Sequence, residues 1–175
     1  MMRLYETTST VTQNECNIPK RYAHYLQNMK IMRMMALIFG VLGIVCAAAA
    51  MQHSLLTAIM CLVAFGVAAA ICIPVGAWSS KRVAANFYED GGDSWTMTTW
   101  FENDGIHRMD EDGDEFAYPL NKLVCAYRAE DVLLLCSGLQ TVLPVNLAQL
   151  SEADRASVLE SIGAGCPKLK WIPEK

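Results

Sequence analysis

The densest charge in the chain falls in one short run, Asp110-Glu111-Asp112-Gly113-Asp114-Glu115. Five carboxylates in six positions invite a calcium reading. An EF-hand loop needs glycine at its sixth position and a bidentate glutamate at its twelfth. Counted from Asp110, the glycine is fourth and the twelfth residue is Asn121, so the match fails. The expectation is a solvated hairpin turn. Its Asp110, Glu111, Asp112, Asp114 and Glu115 offer a contact surface to a partner with basic groups. The three histidines, His24, His53 and His107, stand at no metal-ligand spacing from another candidate ligand. His107 is expected on a strand near the acidic turns, solvated or paired across the sheet. Cys16, Cys46, Cys61, Cys72, Cys125, Cys136 and Cys166 contain no C-x-x-C, which argues against zinc and thioredoxin-like chemistry. They read as reduced thiols used as small hydrophobes. Walker A, G-x-S-x-G, H-E-x-x-H and G-x-G-x-x-G are all missing from the sequence. No catalytic residue, cofactor or metal site is assigned, and the chain is not expected to be an enzyme.

The elements that carry these residues follow from an uneven composition. The 175 residues are 53% hydrophobic and only 18% charged, against roughly 25% charged in soluble domains. Two uncharged blocks hold the excess. Met34 to Met51 is one, about 27 Å long as a helix and close to the hydrocarbon thickness of a bilayer. Leu55 to Trp78 is the other, and only Gln52-His53-Ser54 separates them. Lipid cannot satisfy backbone groups, so both must be helical, and the short turn makes a helical hairpin. Arg3, Lys20, Arg21, Lys30 and Arg33 precede the hairpin, Lys81 and Arg82 follow it, and its turn carries no lysine or arginine. The bias predicts two spans in the cell inner membrane with both termini cytoplasmic. Tyr22 and Tyr25 on one flank, and Trp78 and Tyr88 on the other, suit the interfacial belt. Gly43 with Ala47, and Gly66 with Ala70, have the spacing that lets helices approach closely. They are the candidate packing faces, within the hairpin or between copies of it. Pro74 and Gly76 are expected to loosen the exit of the second span. Neither span has an acidic or basic residue in its core, which disfavours an ion or proton pathway.

Residues 1–30 form an expected cytoplasmic arm. Leu4 to Val11 suits a short strand, and Asn17 with Pro19 suits a helix start that runs on into the hairpin of residues 31–82. Residues 86–175 differ in kind, with 16 acidic and 7 basic residues. Short period-two runs separated by turns predict a meander of about six antiparallel strands. Glu102-Asn103-Asp104-Gly105 supplies one hairpin turn. Ser151 to Asp154 is a capping box for a closing helix, with Ala156, Leu159 and Ile162 as its apolar stripe and Gly163 and Gly165 as its stop. The fold class is therefore α+β: a two-helix membrane hairpin followed by a small antiparallel β domain closed by one C-terminal helix.

The order of hairpin, aromatic strand, Phe101-Glu102-Asn103-Asp104-Gly105-Ile106, Phe116-Ala117-Tyr118-Pro119-Leu120, Val132 to Cys136, Leu143-Pro144-Val145 and closing helix resembles the YcxB-like bacterial membrane proteins. The resemblance covers the chain from about residue 20 to its end. Tyr118 stands where the family usually has tryptophan, and Leu143-Pro144 where it often has Ile-Pro. The resemblance implies a pleckstrin-homology-like cytosolic domain and no reaction. Phosphoinositide binding is not expected, because the first hairpin loop carries Glu102 and Asp104 where anionic headgroups need Lys and Arg. The same acidic surface disfavours nucleic acid. Two roles follow as expectations. One is a membrane-anchored adaptor that docks a protein partner. The other is a structural or regulatory homo-oligomer assembled through the hairpin.

Overall fold

The structure, a computed structural model, describes residues 3–85, 94–102 and 104–173. Tyr88, Asn103 and the side chain of Lys81 lie outside the described residues. The chain divides into two compact units, residues 1–23 with 86–175 and residues 24–85.

In the first unit, β1 (Leu4–Thr12), β2 (Ser94–Glu102), β3 (Gly105–Met109) and β4 (Glu115–Tyr118) form one antiparallel sheet in that order. β5 (Leu123–Ala129), β6 (Val132–Ser137) and β7 (Thr141–Asn146) form a second, ordered β7-β6-β5. The two-residue β8 (Lys170–Trp171) adds to β5 in parallel. The single meander expected from turn spacing is thus split into two sheets, because the chain breaks pairing at Pro119 and the 3₁₀ turn Leu120–Lys122 before β5 begins.

The arm's strand is the first strand of this sheet. β1 pairs with β2 from Thr7↔Thr99 to Thr12↔Ser94. Its side chains alternate strictly: Thr7, Ser9 and Val11 are buried and their neighbours are not. On the outer face Thr8 meets Thr98 and Thr10 meets Thr96, each hydroxyl pair at 3.1 Å, cross-strand contacts worth about 0.2–1 kcal/mol apiece. The far edge of β1 meets β7 and the residues after it. The Asn146 N–H donates to Thr7 Oγ1 at 3.2 Å. The Gln149 amide accepts from Thr8 N–H at 2.8 Å and donates to Thr8 O at 2.9 Å. That side chain does what a neighbouring strand would do, and it protects an otherwise open edge.

Period two fails in the second sheet for a physical reason. Leu133, Leu134, Leu135 and Cys136 of β6 are all buried. Leu133 and Leu135 enter the main core with Phe101, Ile106, Leu143, Val145, Val158 and Ile162. Leu134 enters a smaller cluster with Val11, Cys16 and Val142. Both faces of β6 are covered, so its sequence reads as a continuous apolar run.

Cys16 belongs to α1 (Gln13–Ala50), which begins earlier than Asn17 suggested. The cap is Thr12. Its N–H donates to Glu15 Oε2 at 2.8 Å, and Thr12 Oγ1 accepts from Glu15 N–H at 3.4 Å, a T-x-x-E capping box worth about 1 kcal/mol. Asn17 is instead buried inside the helix. α3 (Glu152–Gly165) has the expected Ser151 cap, which accepts from Asp154 N–H. Its buried line is Val158, Ile162 and Cys166 rather than Ala156, Leu159 and Ile162; Ala156 and Leu159 are exposed. Gly163 does not stop it. The helix ends at Gly165, where Leu120 packs so closely that a Cβ would meet its Cδ1 at 2.6 Å.

The second unit is the hairpin of α1 from His24 onward with α2 (Leu55–Ala85), joined by a turn at residues 51–54. The two helices run antiparallel: Gly43 lies against Phe65, Gly76 against Met32, and Asn28 donates to Ser79 and Ser80. α2 continues through Pro74. Both helices are long and apolar enough to cross a membrane. Only 11% and 6% of their most apolar stretches are buried within the chain, so they are not core helices of this protein.

The pairing of β1 with β2 generates a prediction. Residues 1–23 joined to 86–175 by a short flexible linker should melt cooperatively with dispersed amide resonances. Residues 86–175 alone should not, because Thr99, Trp100 and the β2 edge lose their cover. Equal melting of the two proteins would contradict the shared sheet.

Candidate functional site

Three regions carry the side chains with chemical potential. The first is the end of the β2–β3 hairpin. The register pairs Phe101 with Ile106 and Trp100 with His107. Alternation sends Phe101 and Ile106 to the main core. It leaves Trp100, Glu102 and His107 together on the other face. The indole and imidazole rings stack with centres 5.5 Å apart and planes 22° apart. Trp100 Nε1–H donates to Glu102 Oε1 at 2.9 Å. The turn then brings Asp104 back, with Oδ1 2.9 Å from His107 Nε2, while Glu102 Oε2 lies 3.9 Å from the same nitrogen. The hydrogen bond from His107 holds the Asp104 carboxyl below the usual carboxylate range. Gly105 is required in this turn. Its φ is +155°, and a Cβ there would collide with the Tyr118 carbonyl. Arg3 lies 4.1 Å from the Trp100 ring centre and pairs with Glu115 at 2.6 Å.

Among the described residues, Glu102, Asp104 and His107 form the one group of three metal-capable side chains with mutually close ligand atoms, all within 4.8 Å. Sequence spacing alone places His107 near no other ligand. The reversal at Asp104-Gly105 is what makes positions 102, 104 and 107 neighbours. A Trp-x-Glu-x-Asp-Gly-x-His string across a turn is the signal that could have found them.

The second region is the acidic turn. Part of its charge is already engaged within the first unit. Asp110 Oδ1 accepts from Asp114 N–H at 3.0 Å, Glu111 Oε1 accepts from Thr96 N–H at 2.6 Å, and Glu115 holds Arg3. Asp112 and Asp114 are exposed. Beside them lies an open cleft of about 350 Å³ whose lining includes Lys20, Trp95, Arg108, Asp110, Glu111 and Asp112. The surface is therefore mixed in sign rather than uniformly acidic. Arg108 comes from β3, and its guanidinium sits 5.5 Å from the Phe116 ring centre.

The third region is the hairpin seam. Gly43 and Ala47 are in it: a Cβ on Gly43 would meet Phe65 Cβ at 2.8 Å, and Ala47 is buried. Gly66 and Ala70 are not. Nothing comes within 4 Å of a Cβ on Gly66, and Ala70 is exposed. The α2 side of the seam is instead Ala58, Phe65 and Gly76. The small-residue spacing on α2 was legible, but which of its faces met α1 depended on the register of the two helices.

All seven cysteines are free thiols. Cys125 and Cys136 stand directly opposite each other on β5 and β6, fully buried. The hydrogen bond with Cys136 and then burial push the Cys125 thiol up, which suits an inert packing role.

The seam predicts a contrast. Gly43→Leu should destabilise the detergent-solubilised protein by about 1–3 kcal/mol through overpacking against Phe65. Gly66→Leu should stay within about 0.5 kcal/mol. Thermal unfolding followed by circular dichroism checks both, and equal effects would contradict the seam. No family model, curated protein or solved structure matches the chain.

Proposed function

We propose that the protein is a non-enzymatic, membrane-anchored adaptor of the cell inner membrane, with the hairpin in the bilayer and the antiparallel domain docking a protein partner on the cytoplasmic side. One observation carries this reading: β1 precedes the hairpin, β2 follows it, and the two are hydrogen-bonded neighbours in one sheet. Paired strands share a compartment. A membrane hairpin inserted between them must therefore enter and leave by the same face. The flanking lysines and arginines, with none in the turn, support the cytoplasmic face. A four-stranded and a three-stranded antiparallel run closed by a capped helix support the pleckstrin-homology-like, YcxB-like reading of the domain. That likeness is one of fold and names no ligand.

The docking surface we favour is the rim formed by Asp112 and Asp114 beside the Lys20 and Arg108 cleft. Residues 86–175 carry a net charge of −9, which draws basic protein surfaces and repels acidic headgroups and nucleic acid. A second reading rests on Gly66 and Ala70. Their face is left uncovered by α1, so it is available to a second copy of the hairpin.

In-cell crosslinking and capture of the full-length protein separates the two. Under the adaptor reading a recurrent partner is recovered, and the Asp112→Asn, Asp114→Asn double variant recovers severalfold less of it. Recovery of the protein alone, in a complex that Gly66→Leu dissociates, favours the homo-oligomer. Reporter fusions at both termini should be active only in cytoplasmic form; a periplasmic signal from either end would sink the topology.

A further inference from the structure

We propose that the end of the β2–β3 hairpin binds a divalent first-row transition-metal ion, best fitted by Zn²⁺, through His107 Nε2, Asp104 Oδ1 and Glu102 Oε2. The proposal is independent of the docking reading. Ligand atoms around an ion with bonds of about 2.1 Å lie about 3.0 Å apart at octahedral and 3.4 Å at tetrahedral angles. The distances from His107 Nε2, 2.9 Å to Asp104 and 3.9 Å to Glu102, bracket those values. All three ligand atoms lie within 4.8 Å of one another, and rotation of the exposed Asp104 side chain toward Glu102 closes the set.

The donors differ in how they are held, and the difference suits a metal site. Glu102 and His107 stand on paired strands and their side chains are only 11% and 16% exposed. Asp104 belongs to the turn and is 61% exposed, so water can complete the shell from that side. Trp100, itself buried, fixes both strand ligands at once. Its indole N–H occupies Glu102 Oε1 and leaves Oε2 to the His107 side, and its ring stacks on the imidazole. Such supporting contacts orient ligands and raise affinity. Two carboxylates balance the ion's charge. Arg3, the cation stacked on Trp100, is directed to Glu115. One imidazole with two carboxylates favours a borderline ion over Ca²⁺ or Mg²⁺, which prefer all-oxygen shells.

The test uses the full-length protein in detergent micelles, reduced and stripped with a chelator, then titrated with Zn²⁺ against a chromogenic competitor. One ion should bind per chain. Asp104→Asn and His107→Gln should each weaken binding at least tenfold, and Trp100→Phe, which keeps an aromatic ring but removes the indole N–H, about tenfold. Asp112→Asn, on the neighbouring acidic turn, should leave it unchanged. The Co²⁺ form should absorb weakly in the visible, with no intense thiolate band. Absence of saturable binding overturns the proposal. So does binding that survives Asp104→Asn or His107→Gln unchanged, an equal loss in Asp112→Asn, or a thiolate band. Asp104 is exposed, so its amide variant tests the site without risk to the fold.

Discussion

The pairing of β1 with β2 is the constraint on which the rest of the structure depends. It joins residues on either side of some eighty residues of intervening chain. For a flexible loop, closure over that length would cost on the order of 4 kcal/mol before the first contact formed. Residues 13–85 of that chain are instead two antiparallel helices and their turn, with a seam that runs from Gly43 and Phe65 back to Asn28 and Ser79. A hairpin returns the chain on itself, so most of the closure cost is met by helix packing.

β1 also supplies what the second sheet lacks. Its inner face buries Thr7, Ser9 and Val11, and its outer edge receives Asn146 and the Gln149 amide. Val11 and the first turns of α1, through Cys16, cover the face of β6 that holds Leu134. Without them a strand reading Leu-Leu-Leu-Cys would expose half its side chains to water. At about 25 cal/mol per Å² of apolar surface, covering Leu134 contributes about 2 kcal/mol.

Charge in the first unit is organised rather than merely abundant. Glu15 caps α1, Asp110 stabilises its own turn, Glu111 ties that turn to β2 at Thr96, and Glu115 holds Arg3 against Trp100. Asp112 and Asp114 of the same turn are exposed and outside these contacts, and a second group of carboxylates gathers at His107. Trp100 links these regions. It is buried beside the sheet, yet it orients Glu102, stacks on His107 and seats Arg3.

Much of this was legible in the residues taken in order. Two uncharged blocks, each long enough as a helix to cross a bilayer and separated by three residues, declare the helical hairpin. Asp104-Gly105 and Ser151 declare a turn and a helix start, because their chemistry is local. The candidate carboxylates of residues 110–115 were visible for the same reason. What the tertiary structure decided is every feature that needs a partner far along the chain. Pairing of residues 4–12 with 94–102 has no local signature. Burial of both faces of β6 depends on which distant segment covers the second one. Gly43 lies in the seam and Gly66 outside it because helix register, not spacing, selects a face. Glu102, Asp104 and His107 look scattered in sequence and converge only when β3 folds back on β2. Local propensity acts over a few residues, whereas proximity in space is set by the cooperative closure of the sheet.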